Sequence, residues 1–478
     1  MAMMDAVPPQ PAAVDDAAVT RLRSDLRGMV IRPGEDGYDA ARAVWNGMIN
    51  RRPAFIVRCL GSADVIAALS FARAYHLPVA VRGGGHSFPG YSVCDDGLVV
   101  DFSLMKGVWV DADRKTVRTQ PGVTWGLFDH ETQLFGLATT GGLISHTGIA
   151  GLTLGGGIGW LMRKHGLSCD NLLSVDVVTA DGQFITANHK HNEDLYWGVR
   201  GGGGNFGVVT SFEYQLHNVG PIIYGGAALY RAERASELLR FFRDFTAKAP
   251  DELTSMVAFM TAPPAPFVPA ELQGKPMVAL AACYCGDLAK GDDALKPVRL
   301  FGPPDVNLFG PMPYVAMQSM FDASAPPGIQ CYLKSDFLNR LDDAAIDLIC
   351  EFASRRTSPN SEVHVQHLGG AVSKVGEGKT AFGQRDATYV LNWISLWNDQ
   401  SPPNGHIQWS RDAWNALRPY ASGNVYSNFM QDDNERTRAA YSDRTFARLV
   451  DLKRKYDPEN MFCFNQNLVP EEETVAVQ

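Results

Sequence analysis

Hydrophobic positions recur with two different periods along this chain, and the switches between them mark its elements. Val65, Ile66, Leu69 and Ala72 share one helical face, with Asp64 in the first turn, so residues 62–77 predict an amphipathic helix capped by Ser62 and ended by Pro78. Val79, Ala80 and Val81 read as a short buried strand, followed by a strand over 98–102 and a hairpin over 108–119 that turns near Asp113 and Arg114. Asp181-Gly182 separates two more strand-like stretches, 175–179 and 183–187, and is a strong two-residue hairpin turn. Beyond Pro221, helical stretches over 235–248 and 342–356 alternate with strands over 277–283 and 389–397, and a helix is expected over 436–455. Helices interleaved with hairpins, rather than repeated βαβ units, predict an α+β fold. The expected organisation is a disordered tail over 1–20, a glycine-rich domain over 21–220, a second domain over 221–420, and a terminal segment over 421–478 that returns to the first.

Composition narrows the function. The formal net charge of -9 offers no basic surface for nucleic acid or anionic membrane, and no run of eighteen apolar residues suggests a membrane span. Eight scattered cysteines, of which only Cys283 and Cys285 are close, form neither a disulfide framework nor a zinc site, so free thiols and a cytoplasmic location are expected. His189 and His191 lack a third ligand, and no metal is expected.

Glycine is the informative residue. Three runs, Gly83 to Gly85, Gly155 to Gly157 and Gly201 to Gly204, all precede residue 210. Such runs let backbone N–H groups converge and let a ligand approach the main chain, as a dinucleotide pyrophosphate requires. Gly202-x-Gly204-x-x-Gly207 matches the nicotinamide dinucleotide fingerprint, but that motif must open a helix. Here the β-branched, alternating residues 208–214 follow, so a strand is expected and the nicotinamide-binding fold is rejected.

Four motifs in order carry a family resemblance. They are Arg82-Gly-Gly-Gly-His86-Ser87, then Gly148-Ile-Ala-Gly151-Leu152-Thr-Leu-Gly-Gly156-Gly157, then Arg200-Gly-Gly-Gly-Gly-Asn-Phe206-Gly207-Val208. The fourth is Lys455-Tyr-Asp-Pro-Glu-Asn460-Met-Phe-Cys-Phe-Asn465-Gln-Asn467-Leu468, preceded by Tyr426-Ser-Asn428-Phe. Together they resemble the berberine-bridge-enzyme-like branch of the vanillyl-alcohol-oxidase superfamily. The resemblance implies a PCMH-type FAD-binding domain of two α+β subdomains and a substrate domain whose antiparallel sheet covers the flavin. It implies that His86 bonds to the 8α-methyl carbon of FAD, and that Arg82, Gly83, Gly84, Gly85, Ser87, Gly142, His146, Thr147, Gly148, Gly151, Leu152, Gly156, Gly157, Phe206, Gly207, Val208, Asn465 and Asn467 surround the cofactor. Some relatives add a cysteinyl bond where this chain has Ile144, so a single linkage is expected. Thr147 falls at the oxygen-reacting edge, where a small side chain favours an oxidase.

The resemblance also implies substrate-side groups from the covering sheet and the Tyr-x-Asn element. Alternation puts Val390, Asn392 and Ile394 on one face of the 389–397 strand and Tyr389, Trp393 and Ser395 on the other. Several relatives have a carboxylate or its amide near Asn392, and asparagine is no base. Tyr426 is then the better base if a neighbour depresses its pKa, with Asn428 facing the same side. Aromatic walls from Tyr389, Trp393, Trp397 and Tyr426 would suit a flat substrate. The expected activity is oxidation of a CH–OH or CH–NH group of a small molecule with dioxygen reduced to hydrogen peroxide. A dehydrogenase of the same fold, an oxidative cyclase or tailoring enzyme, and a noncatalytic flavin-binding protein are the alternatives. Substrate identity and oligomeric state are not legible.

Overall fold

A computed structural model describes residues 13–398, 401–431 and 434–469. The fold is α+β, and three sheets organise it. The first has the strand order Met29–Ile31, Phe55–Arg58, Leu98–Asp101, Val79–Arg82, with the last three parallel. Parallel neighbours need a crossover, and the helix Ser62–Ala74 supplies it, burying Val65, Ala68, Leu69 and Ala72 against these strands. Its cap differs from expectation: Gly61, not Ser62, stands at the N-terminus. Buried Asp64 gathers the N–H groups of Leu60, Arg27 and Gly28 at 2.8–3.1 Å, and the Ser62 hydroxyl donates to Thr210 instead.

The second sheet is antiparallel, in the order Val108–Asp111, Thr116–Thr119, Val208–Gln215, Leu172–Val178, Phe184–Asn188. Both expected hairpins are present in it. Its central strand begins at Val208, directly after Gly207, so no helix follows the fingerprint-like glycines.

The third sheet has eight strands, including Ile222–Arg231, Pro276–Tyr284, Leu253–Thr261, Glu362–His367, Tyr389–Trp397 and Gln330–Leu338. The helices Ala235–Thr246, Asp343–Ser354 and Pro403–Leu417 cover one face, and Tyr389, Leu391 and Trp393 join their core. Asn392, Ile394 and Leu396 point the other way, into a cavity shared with the glycine loops. The period-two pattern therefore sorts this strand correctly. Its aromatic residues, however, belong to the helix-covered side: Trp397 stacks on His406 with ring centroids 4.8 Å apart. Of the four aromatics expected as substrate walls, only Tyr426 reaches the cavity.

Two end segments differ from the pattern. Residues 1–12 of the expected tail lie outside the described residues, but Asp16–Asp25 is a helix, capped by Asp15 on the Ala18 N–H at 2.7 Å and burying Ala18, Val19 and Leu22. The helix expected over 436–455 is broken. A short 3-10 segment, Asn434–Ala440, is followed by the helix Asp443–Tyr456, because the Ser442 hydroxyl accepts the Thr445 N–H and starts a new helix there. All eight cysteines are free, six of them buried. No helix among the described residues is long and apolar enough to cross a membrane.

The terminal helix is fastened by a fully buried ion pair. Lys453 Nζ donates to Asp457 Oδ2 at 2.7 Å, to the Phe462 carbonyl at 2.9 Å and to the Asn205 carbonyl at 3.1 Å. One ammonium thus joins the helix, the terminal segment and the third glycine loop. Removing one partner of such a pair leaves an uncompensated buried charge. Lys453→Met is expected to cost about 3–5 kcal/mol in urea unfolding; a loss below about 1 kcal/mol would contradict this role for the pair.

Candidate active site

The strand Val79–Arg82 delivers the chain into the loop 83–87, and the loop 141–148 lies against it. A Cβ built on Gly84 would stand 2.3 Å from the Gly148 nitrogen, and one on Gly148 would stand 2.3 Å from the Gly84 nitrogen. Only glycine allows this backbone contact. Gly83, Gly84, Gly85, His86 and Ser87 line one cavity together with Gly142, Thr147, Gly148, Gly151 and Leu152. Gly203, Gly204, Gly207 and Val208 add the third glycine loop, and Asn465 and Gln466 the terminal segment.

His86 is held from both sides. Its ring stacks on Trp45, with centroids 4.8 Å apart and planes 17° from parallel, and its Nε2 lies 2.6 Å from His146 Nδ1. Burial, reinforced by the neighbouring His146, lowers its pKa to about 3, so the imidazole is neutral at ordinary pH. Trp45 is fixed in turn: its N–H donates to the Gly85 carbonyl at 3.0 Å and its Nε1 to the Ala325 carbonyl at 2.8 Å. Asn46 Nδ2 donates to the carbonyls of Phe88 and Cys331, which stitches the His86 loop to the third sheet. Sequence reading missed Trp45 and Asn46, since their partners lie far along the chain and no local period marks them.

The facing loop is anchored from the third-sheet side. Asp322 accepts the Ser145 N–H at 2.7 Å and the Ser145 hydroxyl at 2.5 Å, while Gln318 Nε2 donates to the Gly142 carbonyl. Leu143 and Ile144 line the cavity, and no sulfur stands at position 144.

The sheet above contributes the polar groups that sequence reading also missed. Glu362, His364 and Gln366 alternate on one strand and all line the cavity, with Asn392 paired in register to His364 on the next strand. Glu362 Oε2 lies 2.8 Å from His364 Nε2, and both side chains are largely buried. A carboxylate therefore does reach the cavity, from the strand next to that of Asn392. Its signal was the polar alternation Glu362-Val-His364-Val-Gln366, which resembles an exposed strand as much as a cavity wall. Phe88, Phe321, Leu333, Ile394, Leu396 and Phe429 supply apolar surface.

Tyr426 and Asn428 line the cavity side by side. Tyr426 Oη accepts the Gly157 N–H at 2.8 Å and Asn428 Nδ2 at 2.9 Å, and Asn428 Nδ2 also reaches the Leu152 carbonyl at 2.9 Å. Burial nevertheless raises the phenol pKa above its ordinary value, against the pull of those two donors. The depressed pKa that a base role for Tyr426 needs is absent. The hydroxyl is arranged as a proton donor, because its lone pairs are already taken.

Several residues expected around the cofactor do not line this cavity. The Arg82 guanidinium turns away to the Ala41 carbonyl. Gly156 and Gly157 pack against Phe382, Tyr426 and Ser168, and Phe206 is a core residue against Gly198 and Gly202. None of these four lines the cavity, and neither do His146 and Asn467, although His146 touches His86. Asp170 and Asn171 brace the loop after the second glycine run: Asp170 pairs with Arg385 at 2.7 Å, and Asn171 Nδ2 donates to the His165 and Leu167 carbonyls. Among the described residues, no group of three His, Cys, Asp or Glu side chains is arranged to hold a metal.

These residues fit a flavin dinucleotide. Three glycine loops converge on one cavity, and a Cβ on Gly151 or Gly204 would meet nothing within 4 Å, which leaves backbone open to a ligand. Asn465 Oδ1, Asn392 Oδ1 and Gln366 Oε1 are buried without a partner among the described residues, as acceptors awaiting a ligand would be.

Comparison with known proteins agrees with that fit. Residues 53–188 match the FAD binding domain model, and residues 425–469 match the berberine and berberine-like model. An FAD-linked oxidoreductase of Dictyostelium discoideum is 32% identical over 95% of this chain and 97% of its own length. (R)-6-hydroxynicotine oxidase of Paenarthrobacter nicotinovorans is 30% identical over 93% of this chain and 97% of its own. The crystal structure of 6-hydroxy-D-nicotine oxidase from Arthrobacter nicotinovorans superposes with a TM-score of 0.84 at 27% identity, covering 93% of this chain and 98% of that one. With its glycine loops, covering sheet and terminal motif in family order, the chain belongs to the berberine-bridge-enzyme-like family of FAD-linked oxidoreductases.

Proposed function

We propose that this protein is an FAD-dependent oxidase that takes hydride from a CH–OH or CH–NH group of a small organic molecule and passes the electrons to dioxygen, releasing hydrogen peroxide. The FAD is bonded once, through His86. The observation that carries this reading is the pairing, across one cavity, of a neutral histidine in a glycine cradle with a carboxylate–imidazole pair on the facing sheet. FAD, when bound, supplies the hydride acceptor and the oxygen-reactive ring.

Each of the chain's own groups has a task in this reading. The Glu362–His364 pair takes the substrate O–H or N–H proton as hydride departs, which is the step a positioned base accelerates. Tyr426 donates its hydroxyl proton toward the substrate heteroatom and orients it, with Asn428 holding the ring oxygen in place. Gln366 and Asn392 offer unpaired acceptor oxygens to further N–H or O–H groups. Phe88, Phe321 and Phe429 exclude water from the reacting carbon. Thr147 leaves room for dioxygen beside the loop that carries it. A relative named for oxidation of hydroxynicotine supports an oxidase acting on a small molecule. The eight free thiols are compatible with a reducing cytoplasm.

The test is direct. Protein purified with its flavin and precipitated with trichloroacetic acid should give a yellow, fluorescent pellet; colour released wholly to the supernatant would end the covalent part of the reading. A panel of amines and alcohols, added without oxygen, should bleach the flavin with one of them, and air should restore the colour with one peroxide per turnover. A reduced flavin that stays bleached in air would mean a dehydrogenase. Glu362→Gln is expected to keep the flavin spectrum while lowering kcat by about 10²–10⁴-fold. Gly84→Ala should give a folded but colourless protein, because its methyl group meets the Gly148 backbone and forces the two loops apart; normal flavin content in that variant would contradict the cradle.

A further inference from the structure

His146 is the residue most tightly engaged with His86 that the function above leaves without a task. It does not line the cavity itself. It nevertheless places Nδ1 2.6 Å from His86 Nε2, with ring centroids 4.7 Å apart. Two neutral imidazoles at that distance share one proton: one nitrogen donates and the other accepts. Burial lowers the pKa of both rings, so neither carries a spare proton. The charge of the nearby Asp322 carboxylate opposes burial at His146 and favours its protonated form. Asp322 is itself fixed by both the N–H and the hydroxyl of Ser145, the residue before His146. The order is therefore His86 and then His146, whose Nε2 has no hydrogen-bond partner among the described residues, with the Asp322 charge nearby and Trp45 stacked on the His86 ring.

This order matters for bond formation at His86. A neutral imidazole attacks through the nitrogen that lacks hydrogen, and the N–H on its other nitrogen becomes acidic as the new bond forms. A partner that accepts from Nε2 keeps the proton there and leaves Nδ1 with its lone pair free. The same partner can then take that proton, and a nearby carboxylate stabilises the imidazolium that results.

Resting on the covalent reading of His86, we propose that His146, backed by Asp322, is the positioning residue for flavin attachment: it holds the His86 proton on Nε2 and receives it as Nδ1 bonds to the flavin methyl carbon. In the net reaction His86 loses an N–H, the 8α-methyl group loses a C–H, and a C–N bond forms. The two electrons left on the ring pass with two protons to dioxygen, giving hydrogen peroxide and oxidised, attached flavin.

The experiment follows covalent incorporation rather than turnover. Wild type, His146→Ala, His146→Gln and Asp322→Asn are purified, their total FAD per chain is measured, and the share kept in the acid-precipitated pellet is followed over time in air with added FAD. Wild type is expected to keep its flavin. His146→Ala should bind FAD at near-unit stoichiometry yet attach it about 10²–10⁴-fold more slowly, with added imidazole restoring the rate. His146→Gln, which preserves a hydrogen-bonding side chain but cannot take the proton, should also be slow, and this variant decides the matter if the alanine variant takes up no FAD. Asp322→Asn should fall between wild type and His146→Ala. Attachment at the wild-type rate in the histidine variants, with wild type itself covalent, overturns the role of His146 alone. Release of all flavin from wild type overturns the covalent reading first and this inference with it. A slow alanine variant that imidazole does not rescue would assign His146 a packing role and reject the proton-accepting one.

Discussion

The contact between the backbones of Gly84 and Gly148 sets the geometry of everything that surrounds it. Two loops meet there with no side chain between them, closer than any Cβ would permit. That approach brings His86, two residues after Gly84, within hydrogen-bond distance of His146, two residues before Gly148. It also turns both loops' backbone toward one cavity, where a planar cofactor can lie against peptide rather than side chains. A single methyl group at either position would part the loops, and with them the histidine pair.

The rest of the molecule is arranged to hold that contact in place. Trp45 and Asn46 tie the His86 loop to residues 325 and 331, while Gln318 and Asp322 tie the facing loop to the same side of the cavity. The third sheet is thus more than a cover carrying Glu362 and His364. Its connections grip both flavin loops, so the roof and the floor of the cavity are positioned by the same hydrogen bonds. Distortion of the 314–331 segment should therefore disturb the His86 side as well as the substrate side.

What the sequence revealed follows from which features are local. The glycine loops and His86 were legible because backbone geometry and close approach leave a residue-level mark wherever they occur. The hairpin at Asp181-Gly182 and the strand after Gly207 were legible for the same reason, and the latter sufficed to reject a nicotinamide fold. Glu362, His364 and Gln366 were not legible. Their strand is buried along its whole length, so its polar face signals a cavity only once the opposite wall is known. Trp45 and Asn46 were hidden more deeply, since the carbonyl that Asn46 reaches lies 285 residues away in the chain. The aromatic residues of Tyr389–Trp397 show the converse failure: alternation sorted the faces correctly, but which face met helices and which met the cavity is a tertiary fact.

The anchoring of the 141–148 loop bears on how a singly attached flavin would be kept in register. One bond at the dimethylbenzene end fixes a point and leaves the ring free to rotate about it. In our reading, relatives with a second bond remove that freedom covalently, and Ile144 forbids the same solution here. The loop that carries Ile144 is instead pinned at Gly142 by Gln318 and at Ser145 by the two hydrogen bonds that Ser145 donates to Asp322. Leu143 and Ile144, held between those pins, present a stiff apolar wall to the cavity. Interiors packed at high density resist displacement of even one methylene group, so an anchored wall can restrict rotation without a bond. Asp322 then serves two ends at once: it fixes this wall of the cavity and adds a negative charge near His146. The two services are separable in principle, because the first depends on hydrogen bonds that asparagine can partly replace and the second on a negative charge that it cannot.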